Sequence, residues 1–338
     1  MDTLENPWRG KGLTWEGLEG IPWPSVDAGE VRRLLARCPL DAETPLERRD
    51  GFAGAGAVFV KDERYRMTLG SFKALGAAYV IARDHEAGRA KGRTYVTASA
   101  GNHGLSVTAG ALAFGARAVI YLAETVPQEF ADRLEMFEAH VVRHGATYEE
   151  SVAAAQRAAE DNGWELLSDT SWPGYVERPF RVMEGYLALA EEAVRQIGEP
   201  PTHIFLQAGV GGLAGACAAY FREAWGDGPR IVVVEPAAAP ALHDSVKAGR
   251  AVVTRGPVSN MGRLDCKEPS LIALKGLARD ADVFALITEE EAERALPVLD
   301  RAGFETSPSG GAGLAALLAG EPLGAEARVL CILSEAPE

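Results

Sequence analysis

Lysine is scarce in this chain, which has seven lysines among its 34 lysine and arginine residues. Acidic residues outnumber the basic ones, and the net charge of −14 is not interrupted by any basic run. A protein with this charge balance repels polyanions, so nucleic acid and anionic membrane are excluded as partners on electrostatic grounds. We expect a small molecule as the partner.

Cysteine and long hydrophobic runs are also lacking. The four cysteines show no Cys-x-x-Cys spacing, so we expect reduced thiols and no disulfide framework. No apolar run approaches the roughly 20 residues that span a bilayer, and the opening MDTLENPWRGKG lacks the regions of a signal peptide. These absences predict a cytoplasmic protein. His140 and His144 have no third ligand at metal spacing, so we predict no metal site.

What the sequence does contain, from about residue 94, is a regular alternation of short β-rich runs with longer amphipathic runs. The first series runs from TYVTAS to ELLSD, and the second runs from THIFLQA to RVLCILS, after one helical stretch, RVMEGYLALAEEAVRQIG. Such alternation predicts parallel sheets with ligands at the carboxyl ends of the strands. The predicted fold class is therefore α/β, with two α/β domains, whereas the residues before 94 are harder to place.

Three glycine-bearing turns stand out, and the first is GSFKALG, in which Lys73 lies among small and apolar residues. This setting is more typical of the wall of a site than of a solvated face. Burial in apolar surroundings lowers the pKa of a lysine, so we expect a neutral amine at Lys73 that can form a Schiff base with a carbonyl.

The second and third turns each lie between a predicted strand and a predicted helix. SAGNHG (residues 99–104) combines a helix N-terminus with a hydroxyl, an amide and an imidazole, which suits a carboxylate. The alternative is a simple capped turn. QAGVGGLAG (residues 207–215) lets consecutive N–H groups surround a phosphate, although such glycines often indicate only tight packing. A phosphate loop, a carboxylate loop and an isolated lysine together indicate pyridoxal phosphate and an amino-acid substrate.

With these motifs in place, the chain resembles the fold type II pyridoxal-phosphate enzymes of the tryptophan synthase β-like superfamily, and within them the diaminopropionate ammonia-lyases. The resemblance runs from residue 44 to residue 336, and its most specific elements are GSFKALG, GNHG, DTSWPGY, THIFLQAGVGGLAG, VVVEP and CKEPS. It implies a smaller domain over residues 75–172 and a larger one over residues 1–74 plus 173–338. It also implies a homodimer.

The resemblance assigns site residues by position. Lys73 would carry the cofactor and act as general base, with Asp169 as its catalytic partner and a contact to the substrate. The cofactor would be bound by Lys73, Asn102, Gly209, Val210, Gly211, Gly212, Leu213 and Ser334. The substrate would be bound by Ser99, Ala100, Gly101, His103, Asp169 and Arg263. The alternative for Asp169 is a local cap at the end of a strand.

Ser334 suits β-elimination on physical grounds. A neutral hydroxyl beside the pyridine nitrogen does not keep the ring protonated, so a carbanion at Cα expels a β-leaving group more readily than it transaminates. The implied reaction converts 2,3-diaminopropionate, or a related amino acid, to a 2-oxo acid and ammonia.

Three positions depart from the family pattern. Ala100 replaces the aspartate of TDGNHG, Arg263 replaces a glycine, and Pro308 replaces a glutamate. Two carboxylates are lost and one guanidinium is gained. This change favours a substrate with an acidic or neutral β-substituent over one with a second ammonium group. The alternative is that Arg263 is only a surface residue. A serine, threonine or 3-hydroxyaspartate dehydratase is therefore an alternative. A non-catalytic cofactor- or amino-acid-binding protein is another, whereas a nucleotide-dependent enzyme leaves Lys73 and SAGNHG unexplained.

Overall fold

The protein is described by a computed structural model that covers residues 1–337. The strands in this range are β1 (Asp2–Glu5), β2 (Leu46–Asp50), β3 (Ala55–Asp62), β4 (Thr94–Ala98), β5 (Arg117–Leu122), β6 (His140–Arg143), β7 (Glu165–Leu166), β8 (His203–Gln207), β9 (Arg230–Pro236), β10 (Val283–Ile287) and β11 (Gly324–Leu333). The helices are α1 (Ala28–Leu35), α2 (Lys73–Glu86), α3 (Asn102–Ala113), α4 (Gln128–Glu135), α5 (Tyr148–Asn162), α6 (Glu177–Gly185), α7 (Leu187–Ile197), α8 (Gly212–Trp225), α9 (Ala241–Ala248), α10 (Leu271–Asp280), α11 (Glu289–Arg301) and α12 (Ala312–Ala319).

These strands form two sheets. The larger sheet has seven strands in the order β1-β10-β9-β8-β11-β3-β2, and the smaller has four in the order β6-β5-β4-β7. Every pairing in the smaller sheet is parallel, while the larger sheet is parallel except for its two edge strands, β1 and β2. The predicted α/β class with parallel sheets is confirmed. The domain boundaries at residues 75 and 172 stay a prediction.

The central strands are mainly apolar, as expected where helices cover both faces of a sheet. β10 is buried at every residue, and β9 is buried at every residue after Arg230. Helix α11 begins with a capping box of Thr288 and Glu291. The apolar side chains of this sheet divide into two cores, one on each face, and a third small core lies between β4, β5 and α5.

Two predictions about helices were wrong. The stretch RVMEGYLALAEEAVRQIG forms part of two helices, α6 and α7, with Tyr186 at the junction. The junction follows Gly185, where a Cβ would lie 2.6 Å from the Leu75 carbonyl oxygen and 2.8 Å from the Cα of Gly76. Glycine therefore lets this chain segment cross α2 in direct backbone contact. Helix α10 was not predicted, because its apolar residues follow a segment without clear period.

The described residues hold neither a metal-binding cluster nor a membrane-spanning helix. No group of three or more His, Cys, Asp and Glu side chains among them suits a metal ion. None of their helices combines the length and apolar character needed to cross a membrane. The four cysteines are all unpaired.

Glu235, at the end of β9, anchors the following helix and takes no part in the site described below. Its carboxyl oxygens accept the backbone N–H groups of Leu242 and His243, each at 2.7 Å, at the start of α9. The side chain is buried. Without it, two helix N–H groups lose their acceptors inside the protein.

We expect Glu235→Ala to lower the free energy of unfolding by about 1–3 kcal/mol for each N–H group left without an acceptor. Urea denaturation followed by far-UV circular dichroism measures this loss. Lys247→Ala, at an exposed position of the same helix, is the matched control, with an expected change below about 0.5 kcal/mol. Equal losses in the two variants would contradict the anchoring role.

Candidate active site

Lys73 is the first residue of α2 and lies at the carboxyl end of β11. The backbone N–H of Phe72 donates to the carbonyl oxygen of Ser334 at 3.1 Å, which ties the start of α2 to the end of that strand. The approach to Lys73 is unusual, because Met67 and Thr68 both have left-handed backbone conformations (φ 49° and 60°). Such conformations are costly for non-glycine residues and are held by surrounding structure.

Lys73 forms an ion pair with Asp169. The Lys73 ammonium donates to Oδ2 of Asp169, and the two side chains are only 22% and 19% exposed. Burial acts to lower the pKa of Lys73, but the Asp169 carboxylate outweighs it and raises this pKa above its ordinary value. The expected neutral amine at Lys73 was therefore wrong for this arrangement, because the sequence does not show that a carboxylate 96 residues later faces the lysine.

The SAGNHG loop leads into α3, and no side chain caps that helix at Gly101. The capped-turn alternative holds only for the Gly101 N–H, and the N–H groups of the first turn of α3 have no side-chain cap, so an anion can bind there. The Ser99 hydroxyl accepts the Gly101 N–H at 3.3 Å. His103 is buried, and its Nε2 lies 2.9 Å from the carbonyl oxygen of Leu167.

The protonation state of His103 follows from that contact. A carbonyl oxygen can only accept, so Nε2 carries the proton and Nδ1 is an acceptor. Nδ1 is buried without a hydrogen-bond partner among the described residues. Burial lowers the pKa of His103, so the ring is neutral at neutral pH. The site therefore contains a buried acceptor that a ligand N–H or O–H can satisfy.

The glycine turn after β8 leads into α8 and packs close to the other site residues. Gly211 has φ +96°, and a Cβ there would lie 2.9 Å from Leu242. A Cβ on Gly209 would lie 2.9 Å from Sγ of Cys266, whereas one on Gly212 would lie 4.0 Å from the Asp169 carbonyl oxygen. The turn thus lies beside Asp169, and no side chain caps α8.

The other two residues of this turn are held by the fold. The carbonyl oxygen of Val210 accepts the Ser270 N–H at 3.0 Å, and Leu213 is buried.

Glu335 is a site residue that sequence reasoning missed. Its carboxylate accepts from Nδ2 of Asn102 at 2.7 Å and from the hydroxyl of Ser307. It follows Ser334, which is buried and donates its N–H to the Gly310 carbonyl oxygen at 3.2 Å. Glu335 therefore joins the end of β11 in the larger sheet to the start of α3. Its place directly after Ser334 was the only sequence signal.

Arg263 is half-buried and faces the SAGNHG loop. Its guanidinium packs on Gly101, so that a Cβ there would lie 2.9 Å from Nη1. Its backbone N–H donates to the Ser309 hydroxyl at 3.1 Å. Arg263 also lines a cavity of about 380 Å³ with Phe130, Asn260, Gly262, Thr306, Ser307, Pro308 and Ser309. Ala100 is half-buried beside it in the loop and places no carboxylate there.

The predicted site residues therefore converge from distant parts of the chain. A phosphate fits the N-terminus of α8, where consecutive backbone N–H groups are uncapped and glycines leave room. A carboxylate fits the start of α3, and the Lys73 amine pairs with Asp169, which lies close to His103 of α3 and to Gly212 of α8. The Nδ1 of His103 and the hydroxyl of Tyr186 are buried there without partners among the described residues. The donor set suits a phosphorylated aldehyde and an amino acid.

Comparisons with known proteins agree with this chemistry. The profile of the family described as pyridoxal-phosphate dependent enzyme matches residues 38–335. The chain is 33% identical over 275 residues to the diaminopropionate ammonia-lyase of Salmonella typhimurium, covering 72% of this chain and 68% of that protein. It is 30% identical to the serine dehydratase-like protein of Mus musculus, covering 78% and 77%.

The structure is similar to a crystal structure of the Escherichia coli diaminopropionate ammonia-lyase, in complex with an aminoacrylate-PLP azomethine reaction intermediate. The TM-score is 0.88 at 29% identity, and the match covers 99% of this chain and 93% of that chain. The cofactor is pyridoxal 5′-phosphate, as the motifs predicted. The chain belongs to the fold type II pyridoxal-phosphate-dependent enzymes and, within them, to the diaminopropionate ammonia-lyase family.

Proposed function

We propose that the protein is an ammonia-lyase that eliminates the β-substituent of a small amino acid and releases a 2-oxo acid and ammonia. The observation that carries this proposal is the Lys73–Asp169 ion pair, which lies close to His103 at the uncapped start of α3 and to Gly212 at the uncapped start of α8. Bound pyridoxal phosphate supplies a carbonyl for the substrate amine and a ring that accepts electrons from Cα.

The residues of the chain divide the remaining tasks. The N-terminus of α3, with the Ser99 hydroxyl, binds the substrate carboxylate and fixes the orientation of Cα, whereas His103, whose Nδ1 is an acceptor, suits an N–H or O–H of the ligand and not a carboxylate. Lys73 takes the Cα proton as general base. Burial acts to lower the pKa of Lys73 and the Asp169 carboxylate raises it, so a ligand cation that pairs with Asp169 weakens this effect and favours the neutral, basic form of Lys73.

This dependence of the Lys73 pKa on Asp169 supports 2,3-diaminopropionate as the first candidate substrate. The relatives of this family act on it by name, and its second ammonium is the kind of group that pairs with Asp169. A substrate cation at Asp169 removes the stabilisation of the Lys73 ammonium. The base is then activated in the presence of its substrate.

A second candidate is an amino acid with an acidic β-substituent, such as 3-hydroxyaspartate. Here the supporting observation is the guanidinium of Arg263 packed on Gly101, next to Ala100, where the family has an aspartate. An arginine can bind a carboxylate through two hydrogen bonds and repels a second ammonium.

A substrate panel tests the proposal. Ammonia and 2-oxo acid are assayed after the holoprotein is mixed with L- or D-2,3-diaminopropionate, L-serine, L-threonine or the 3-hydroxyaspartates. We expect at least one to yield both products. Bound cofactor with no ammonia from any of them would support the non-catalytic binding protein instead.

Arg263→Ala separates the two substrate candidates. If Arg263 binds an acidic β-group, kcat/KM for 3-hydroxyaspartate falls by about 10–100-fold, the effect of one lost hydrogen-bonded charge contact. The value for diaminopropionate stays or rises, because a repulsive charge is removed. Arg255→Ala, an exposed arginine of the same segment, is the control. Equal losses for both substrates would contradict a role of Arg263 in selection.

We also propose that the enzyme is a cytoplasmic homodimer. The four unpaired cysteines support a reducing compartment, and the family resemblance supports the dimer. Light scattering of the holoprotein after size-exclusion chromatography tests the assembly.

A further inference from the structure

Tyr186 carries a buried hydroxyl that the fold does not use. The residue lies at the junction of α6 and α7 and is 1% exposed. Its hydroxyl has no hydrogen-bond partner among residues 1–337. Buried tyrosine hydroxyls usually find a partner, and leaving one without a partner costs stability. An unpartnered group at this position therefore indicates a ligand.

The tyrosine ring is wedged between two glycines, and this sets the direction of the hydroxyl. A Cβ on Gly76 would lie 2.8 Å from one ring carbon, Cε1, and a Cβ on Gly212 would lie 3.6 Å from the opposite carbon, Cε2. The hydroxyl is attached between these two carbons, so it points into the gap between α2 and the first residue of α8. Phe72 packs edge-on against the ring, with centroids 4.9 Å apart, and holds it there.

The electrostatics of this gap select an anion as the ligand. Gly212 begins α8, whose uncapped N–H groups carry partial positive charge. Burial, above all, raises the pKa of Tyr186 to about 12, so the phenol is neutral and can donate. The nearby Lys73 is an ammonium in its pair with Asp169, so it can donate to the Tyr186 oxygen but offers no lone pair to accept the Tyr186 proton. An anionic oxygen at the start of α8 meets every one of these conditions.

We infer that Tyr186 is a further residue of the cofactor site and that its hydroxyl donates a hydrogen bond to the phosphate of pyridoxal phosphate. The phosphate is then held both by the backbone of residues 209–213 and by a side chain from the α6–α7 junction. Gly76 and Gly185 are consistent with this geometry. They let the α6–α7 junction approach α2, which brings Tyr186 next to residues 209–213. The inference concerns cofactor binding and is independent of which substrate is used.

The test compares Tyr186→Phe with the unchanged protein, after removal of the cofactor, in titrations with pyridoxal 5′-phosphate and with pyridoxal, which lacks the phosphate. We expect the dissociation constant for pyridoxal phosphate to rise by about 10–100-fold, as for a lost hydrogen bond to a charged group, and that for pyridoxal to stay unchanged. We also expect the cofactor-free variant to be about as stable to heat as the unchanged protein, because the O–H that is deleted has no acceptor at normal hydrogen-bond distance.

Tyr79→Phe is the matched control, since Tyr79 is equally buried and its hydroxyl binds only Arg83, at 3.0 Å. It should leave both dissociation constants unchanged. Equal losses for pyridoxal and pyridoxal phosphate in Tyr186→Phe would overturn the inference, because they would place the hydroxyl at Lys73. No loss for either ligand would overturn it too. In both cases ammonia release by the unchanged holoprotein would leave the proposed function standing.

Discussion

Replacing Lys73 with alanine should abolish covalent retention of the cofactor and lower ammonia release by at least about 10²–10⁴-fold, the range for loss of a general base. The amine that we propose as cofactor attachment point and general base is then missing from the start of α2. Borohydride reduction followed by mass spectrometry measures the attachment, and an ammonia assay with saturating cofactor measures the rate.

A second variant separates the chemistry of the amine from its charge. Lys73→Ala also leaves Asp169 as a buried carboxylate without its cation, which destabilises the protein. Lys73→Arg keeps a cation opposite Asp169, but a guanidinium does not form a Schiff base or act as a base near neutral pH. We expect Lys73→Arg to be folded and inactive. Lys91→Ala, at an exposed site, should be fully active. Attachment of the cofactor elsewhere in Lys73→Ala, with activity retained, would contradict the assignment.

The largest effect on stability is expected from Arg66→Met, which should cost about 3–5 kcal/mol of the free energy of unfolding, as when one partner of a buried ion pair is removed. Arg66, Glu63 and Lys61 are wholly buried and Glu192 is nearly so. The guanidinium donates to Glu63 at 2.7 and 2.8 Å and to Glu192 at 2.6 and 3.0 Å, and Lys61 lies 2.6 Å from Glu192. Without Arg66, two buried carboxylates share a single ammonium.

Chemical denaturation of the holoprotein measures that loss. Arg48→Met is the matched control, because Arg48 and Asp50 form an exposed pair on β2 with an expected contribution of at most about 1 kcal/mol. We also expect Arg66→Met to weaken cofactor attachment, since Arg66 immediately precedes the left-handed Met67 and Thr68 that lead to Lys73. A loss below 1 kcal/mol would mean that water or rearrangement compensates the buried charges.

The alternation of strands and helices after residue 94 was readable from the sequence because parallel sheets covered on both faces require continuous apolar strands. The first part of the chain was not, since β1 and β2 are edge strands with mostly charged residues. The break at Tyr186 also escaped prediction. It depends on the contact of Gly185 with α2, which lies about a hundred residues away along the chain.

Within the site, the motifs predicted which loops would meet but not how their side chains would pair. The sequence predicted the SAGNHG loop and the glycine turn because anion binding requires helix starts without bulky side chains. It predicted Lys73 because a lysine among small and apolar residues is typical of a site. The ion pair with Asp169 reversed the expected shift in the pKa of Lys73. Glu335 and Tyr186 carry no local motif, since their importance comes only from the residues that face them.

The sequence by itself thus determined the fold class, the family and the chemistry of the cofactor, because these depend on periodicity and on short motifs whose residues are neighbours in the chain. Only the tertiary structure decided the charge state of Lys73, the orientation of Arg263 toward Gly101 and the place of the Tyr186 hydroxyl. Each of these depends on distances between residues far apart in sequence. Burial and electrostatic interaction change with distance and surroundings, and neither is encoded by a single segment.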